Sequence, residues 1–191
     1  MQNMPSLITN YLNTLKTTID SISRVEIQQF ISSLIDSYEN KRHVFIMGNG
    51  GSASTASHFA CDINKGVSFK RKKKFKVIPL TDNIATIMAY ANDVSYDDIF
   101  VEQLKNFLEP NDLVIGISGS GNSKNVLKAI EYANQNKAIT FGVTGYDGGK
   151  LKQLAHHSVN ANINDMQISE DIHMILVHLT MKVLAQLFPE N

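Results

Sequence analysis

Two short apolar runs, Val44-Phe45-Ile46-Met47 and Leu113-Val114-Ile115-Gly116-Ile117, each lead into a loop of glycine, serine and asparagine and then into helix-like sequence. The first loop is Gly48-Asn49-Gly50-Gly51-Ser52 and the second is Ser118-Gly119-Ser120-Gly121-Asn122-Ser123. A short apolar run closed by turn residues predicts a buried strand. A helix that starts at such a turn points free N–H groups at whatever sits in front of it, which favours an anion. Used twice, the pattern restricts the chain to an α/β fold with parallel strands and suits it to a phosphorylated small molecule.

The rest of the chain fits that frame. Strands are predicted near 44–47, 76–80, 113–117, 139–143 and 157–161, with helices after most of them. Two amphipathic helices, Ser6 to Ser21 and Val25 to Tyr38, precede the first strand, carrying Leu7, Ile8, Leu12 and Leu15, then Ile27, Ile31, Leu34 and Ile35. Gly66 is read as the end of the helix that bears His58, Asp147-Gly148-Gly149 as a turn after the fourth strand, and Met166 to Leu187 as a long closing helix. No repeat beyond the two loops and no linker divides the 191 residues, so one domain is expected, with residues 1–40 as a helical oligomerisation segment packed on another subunit.

Charge excludes several classes. The 18 basic and 18 acidic side chains cancel, so nothing global draws the chain to nucleic acid or an acidic membrane. Lys70-Arg71-Lys72-Lys73-Lys74 lacks interleaved aromatics and is read as a solvated loop or helix end. No apolar span approaches the about 20 residues of a membrane helix, and no signal-peptide core opens the chain. With one cysteine, Cys61, read as a small packed residue, a soluble cytoplasmic protein is expected.

The first loop is not a dinucleotide fingerprint: Ala53 stands where the third glycine belongs, and no acidic ribose partner follows at the expected distance. Neither loop carries the Gly-Lys-Ser/Thr ending of a nucleotide P-loop. The second loop sets the hydroxyls of Ser118, Ser120 and Ser123 beside helix-opening amides, a combination suited to a phosphate monoester, with Ser123 also placed to cap the helix.

His58 and Asp62, four apart, share a helical face, and Glu170 and His178 lie about 80° apart on the closing helix. Brought together, two imidazoles and two carboxylates would ligate Zn²⁺ or a related divalent ion, or act as acid and base on a sugar carbon and its oxygens. His173, about 140° from His178, is expected to pack beneath the site. His156 and His157 are placed at the start of the fifth strand near solvent and His43 ahead of the first strand at the surface, and none of the three is given a role.

The ordered set Gly-Asn-Gly-Gly-Ser at 48–52 with His58, then Asn92-Asp93, then Ser-Gly-Ser-Gly-Asn-Ser at 118–123 with Asn125-Val126, then His173 and His178, resembles the bacterial phosphoheptose isomerases of the sugar isomerase (SIS) domain superfamily. The resemblance implies a three-layer α/β/α sandwich on a five-stranded parallel sheet and a homotetramer with active sites at subunit interfaces. It implies interconversion of sedoheptulose 7-phosphate and D-glycero-D-manno-heptose 7-phosphate through an enediol(ate), towards the heptose of lipopolysaccharide or capsule, without a redox cofactor.

By the same resemblance, Asn49, Gly50, Gly51, Ser52, Asn92 and Asp93 contact the substrate, and Ser118, Gly119, Ser120 and Ser123 hold its phosphate. His58 and His178 match metal-site histidines, and His178 also matches the histidine of proton transfer. Two positions depart from the family: Asp62 stands where a glutamate base is usual, and Glu170 where a glutamine touches substrate and metal. The expected consequence is a shift of carboxylate work between helices, with Glu170 as base or stronger metal ligand, Asp62 retained as ligand and substrate contact, and His58, Asp62, Glu170 and His178 around Zn²⁺ or another divalent ion. Two alternatives stand beside this one: an isomerase of a different phosphosugar, and a non-catalytic SIS-domain regulator of replication initiation.

Overall fold

The computed structural model describes residues 3–188. In chain order the elements are α1 (Met4–Ser21), α2 (Arg24–Glu39), β1 (His43–Gly48), α3 (Gly51–Cys61), β2 (Lys76–Pro79), α4 (Ile84–Asp93), α5 (Val101–Phe107), β3 (Leu113–Ser118), α6 (Lys124–Gln135), β4 (Ile139–Gly145), α7 (Gly149–Leu154), β5 (His157–Ala161) and α8 (Met166–Leu187). A π-helical turn, Asp62–Val67, continues α3, and a 3₁₀ turn, Tyr96–Asp98, follows α4. Each expected strand is present within two residues at either end.

The five strands form one parallel sheet in the order β2-β1-β3-β4-β5. Because side chains alternate along a strand, β1 feeds both faces: Val44 and Ile46 point into a core roofed by α2, α3 and α8, while Phe45 and Met47 point into one roofed by α5, α6 and α7. Burial on both faces explains why these strands read as continuous apolar runs. The result is the α/β/α sandwich expected. On the first face Phe30 of α2 packs edge-on against Phe141 of β4 and tilted against Phe59 of α3, at centroid distances of 4.9 and 5.9 Å. Such fully buried side chains each contribute roughly 1.5–3 kcal/mol through removal from water.

The N-terminal pair does not behave as one unit. Helix α2 buries Phe30, Ile31, Leu34 and Tyr38 on its own sheet rather than on another subunit. Helix α1 lies against α8, where the Tyr11 hydroxyl donates to Asp171 Oδ2 at 2.7 Å, and that bond pushes the phenol up to about 12. Only Thr18 of α1 is buried among the described residues, and while Leu15 packs towards Ile168 and Ile172, Leu7, Ile8 and Leu12 of its apolar stripe stay open.

Three local expectations change. Gly66 does not end the helix of His58, which runs on as the π turn to Val67; Gly66 instead makes room for Met181 of α8, whose Cε lies 2.7 Å from where a Cβ would stand. Cys61 is exposed rather than packed, because Ala56, Phe59, Ala60 and Ile63 take the inward face of that helix. His43 begins β1 instead of preceding it, and its N–H donates to Oδ1 of buried Asp112 at 2.8 Å.

Candidate active site

Adjacent strands β1 and β3 send their chains to opposite faces of the sheet, β1 into α3 and β3 into α6. Between them the strand order reverses, and open α/β sheets bind ligands in the crevice at that point, beyond the carboxyl ends of the strands. Gly48 pairs in register with Ile117, so the two glycine-rich loops leave the sheet side by side. An open cleft of about 270 Å³ lies there, lined by residues 49–52, by residues 117–120 and Ser123, and by Met166 and Glu170 of α8.

The two helices that leave the glycine-rich loops begin differently from the other long ones. The side chains of Asn3, Ser23, Asn83 and Asp165 cap α1, α2, α4 and α8 by accepting from first-turn N–H groups. Helices α3 and α6 start at Gly50 and Ser123 with no side-chain cap. Ser123 occupies the N-cap position as expected, but its hydroxyl turns to Ser118 Oγ, 3.0 Å away, instead of capping. Ser120 Oγ accepts from the Asn122 N–H at 3.2 Å, closing the loop on itself. Apart from the Ala53 N–H, bonded to the Gly50 carbonyl, and the Val126 N–H, bonded to Asn125 Oδ1, the first-turn amides of these two helices and a cluster of hydroxyls are thus left for an anion.

Two glycines of the first loop are required by geometry. Gly50 has φ +52° and ψ −122°, a conformation a side chain resists, although the space beside it is empty. Gly51 admits Glu170: a Cβ there would stand 2.7 Å from the Glu170 carboxyl carbon. The Glu170 carboxylate therefore borders the cleft, and among the described residues it makes no hydrogen bond or ion pair.

His58, Asp62 and His178 converge further along the same helices. His58 Nε2 lies 3.0 Å from His178 Nε2 and 3.4 Å from Asp62 Oδ2, and one ligand atom from each residue falls within 4.8 Å of the others. A tetrahedral ion with bonds of about 2.0–2.1 Å holds its ligand atoms roughly 3.3 Å apart, so the trio fits three corners of such a site. Glu170 is not in this group. It sits two turns of α8 before His178, about 12 Å along the axis, and so the fourfold ligand set expected from the sequence is three residues here, with Glu170 at the cleft.

Other predicted residues distribute unevenly. Asn92 and Asp93 end α4, exposed, bonded to each other at 2.7 Å and away from the cleft wall; α4 buries no residue among those described, so nothing within one chain presses it inward. The loop just after it does reach the site, since the Tyr96 hydroxyl donates to Asn49 Oδ1 at 3.0 Å. Asn49 in turn exchanges two bonds with Asn125, each 2.9 Å. Tyr96 carried no signal in the sequence, and Asn125 only its place beside the serine loop. His173 is buried as its angle predicted, with neither ring nitrogen hydrogen-bonded among the described residues, and burial lowers its pKa, outweighing the raising effect of the nearby Thr144 backbone. His156, exposed, is used structurally: its Nδ1 accepts from the Thr140 N–H at 3.1 Å. The basic run is a loop sewn to its surroundings, with Lys73 paired to Glu39 at 2.9 Å and lying 4.5 Å above the Tyr38 ring, and Lys74 donating to the Ser68 carbonyl at 2.7 Å.

Among the described residues no helix is long and apolar enough to cross a membrane. Comparison with known proteins places this architecture. The SIS domain family matches residues 9–145. A phosphoheptose isomerase of Helicobacter pylori is 38% identical over 153 residues, which cover 80% of this chain and 79% of that protein. The phosphoheptose isomerase of Helicobacter hepaticus is 33% identical over 166 residues, covering 86% and 84%. Among solved structures, a phosphoheptose isomerase from Neisseria gonorrhoeae aligns with a TM-score of 0.88 over 96% of this chain and 100% of its own, at 23% identity, a likeness of fold. With the family model spanning most of the chain and relatives this similar over most of their length, the chain belongs to the phosphoheptose isomerase family of SIS-domain proteins.

Proposed function

We propose that the cleft and the His58–Asp62–His178 trio form one active site that interconverts sedoheptulose 7-phosphate and D-glycero-D-manno-heptose 7-phosphate. The observation that carries this is the convergence of two uncapped helix N-termini and the Ser118, Ser120 and Ser123 hydroxyls on one cleft, at the end of a helix pair that also presents the trio. From Gly51 to His58 is about 10 Å along α3, room for an extended sugar whose phosphate rests on the serine loop and whose carbonyl end points to the trio. Remote binding of the phosphate would hold the reacting carbons in place.

Glu170, unpaired at the cleft, is the base: with its side chain turned along α8 towards the carbonyl end of the sugar, its carboxylate takes the proton from the carbon beside the carbonyl and returns it to the neighbouring carbon. His178 gives and takes the proton at the substrate oxygens. Asp62, 3.4 Å from His58, serves as a ligand rather than the base. A divalent cation such as Zn²⁺, held by His58, Asp62 and His178, would supply positive charge to those oxygens as a Lewis acid. The exposed stripe of α1 supports assembly into a homotetramer that covers the open site. Relatives named as isomerases favour this reading over a regulatory one.

The test is turnover of sedoheptulose 7-phosphate, followed by NMR of the aldose product, in metal-loaded and chelated protein. Glu170→Gln is expected to lower kcat by about 10²–10⁴, while Asp62→Asn weakens metal binding and recovers in excess metal. Turnover by Glu170→Gln with a dead, metal-saturated Asp62→Asn would make Asp62 the base. No product in any metal condition would turn attention to another phosphosugar.

A further inference from the structure

The bonds around Asn49 determine which way its amide points and what it has left to offer. The Val126 backbone N–H, which can only donate, bonds Asn125 Oδ1 at 2.9 Å. That fixes the Asn125 side chain, so its Nδ2 faces Asn49 and donates to Asn49 Oδ1. Asn49 Nδ2 must then be the group that donates back to Asn125 Oδ1. The Tyr96 hydroxyl, facing an oxygen that cannot donate, gives it its proton. An amide has two N–H donors and two acceptor lone pairs. Both lone pairs of Asn49 Oδ1 and one of its N–H groups are used, and among the described residues the second N–H has no partner, in a residue that lines the cleft.

We infer that Asn125 and Tyr96 are positioning residues that lock Asn49 as a pure donor, aiming its remaining N–H at an oxygen lone pair of the bound phosphosugar. This rests on the proposed reading of the cleft as the sugar site. Asn125 is 2% exposed and anchored at the start of α6, whereas Tyr96 is 54% exposed on the loop after α4. The lock therefore joins three separate segments: the turn after β1, the start of α6 and the α4–α5 loop. That loop is itself held to α6 by the Asp98–Lys128 ion pair. A donor held in this way prefers a carbonyl or alkoxide oxygen and would leave a substrate hydroxyl proton unmatched at that spot.

The decisive variants are Asn125→Asp, which keeps the acceptor for the Val126 N–H but removes the donor to Asn49, and Tyr96→Phe, which keeps the ring and removes the hydroxyl. Asn125→Asp is expected to lower kcat/KM by about 10–100-fold and Tyr96→Phe by about 3–10-fold, since misplacement of a positioned group by about 1 Å costs up to roughly 10²-fold. Inhibition by inorganic phosphate, held by the serine loop, should stay within twofold in Tyr96→Phe, which adds no charge near that loop. In an Asn49→Ala background Tyr96→Phe should have no further effect. An equal loss in that background, or a parallel loss of phosphate affinity in Tyr96→Phe, would overturn the inference. Tyr96→Phe lies on the surface and serves if Asn125→Asp does not fold. The Asn49 side-chain amide signal in ¹⁵N NMR gives a readout free of activity. Slow hydrogen exchange that both variants accelerate supports the lock, and unchanged exchange refutes it. An intact lock in an enzyme that does not turn over the heptose phosphate would overturn the substrate reading alone.

Discussion

At the scale of single residues, His173 has the clearest consequence. It is 2% exposed on the inner side of α8, and neither ring nitrogen is hydrogen-bonded. Burial lowers its pKa from the ordinary 6.5, because the charged ring would lose its water. In the unfolded chain the ring takes up a proton near 6.5, and in the folded one only at lower pH. Between those values the unfolded state binds the extra proton, so the stability tied to His173 is fully present above 6.5 and is lost as pH falls below it. One proton limits the slope to about 1.4 kcal/mol per pH unit. His173→Leu, which removes the titration without leaving a partner unpaired, is expected to flatten the fall of Tm between neutral and mildly acidic pH. An unchanged acid flank in that variant would count against the assignment. The inward placing of His173, like the meeting of His58 with Asp62, was legible because helical angle alone decides it. The exposure of Cys61 was not legible from its apolar neighbours, since they occupy a different face of the same helix.

At the scale of elements, helix starts separate structural from functional sequence. Ser23 and Ser123 look alike in the sequence, each a serine ahead of a helix, yet Ser23 Oγ accepts from the Glu26 N–H at 3.2 Å and Ser123 Oγ turns away to Ser118. Loss of a working cap costs about 0.5–2 kcal/mol. Ser23→Ala is therefore expected to lower stability by roughly 1 kcal/mol in denaturant unfolding and leave phosphate binding alone. Ser123→Ala should change stability by less than about 0.5 kcal/mol and weaken inorganic phosphate binding several-fold. The reverse pattern would mean that Ser123 caps α6 after all. What separates the two serines is the long-range approach of Ser118 from β3, and local sequence does not encode it. The π turn after α3 is hidden for a similar reason: it forms where α8 packs on Gly66 and Ile63, and only the folded pair of helices determines that contact.

At the scale of the whole molecule, alternation of apolar runs with helical segments made a parallel α/β sheet legible, but not which strands are neighbours. The crevice between β1 and β3 exists only because the order is β2-β1-β3-β4-β5, a consequence of which face each crossover takes. The same holds for the surface. Along α1, Met4, Leu7, Ile8 and Leu12 follow the i, i+3, i+4, i+8 spacing of a buried stripe, yet Ile8 and Leu12 are 54% and 57% exposed. On α4, Ile84 and Met88 are 67% and 65% exposed, and that helix leads to Asn92, Asp93 and the Tyr96 loop. Patches of this kind on one chain are what an interface between copies covers. His58 and His178 are exposed as well, so such an interface would also close the site. In an isolated chain, charge placed on the open side of α1 would change stability by no more than about 0.5 kcal/mol. In a tetramer it would be forced between apolar side chains. For the proposed tetramer, Ile8→Glu combined with Leu12→Glu is thus expected to shift the light-scattering mass from four chains to one or two and to reduce turnover at least tenfold, with the secondary structure retained. A wild-type protein that is monomeric at micromolar concentration and fully active would show instead that one chain holds a complete site and that the stripe on α1 serves some other contact.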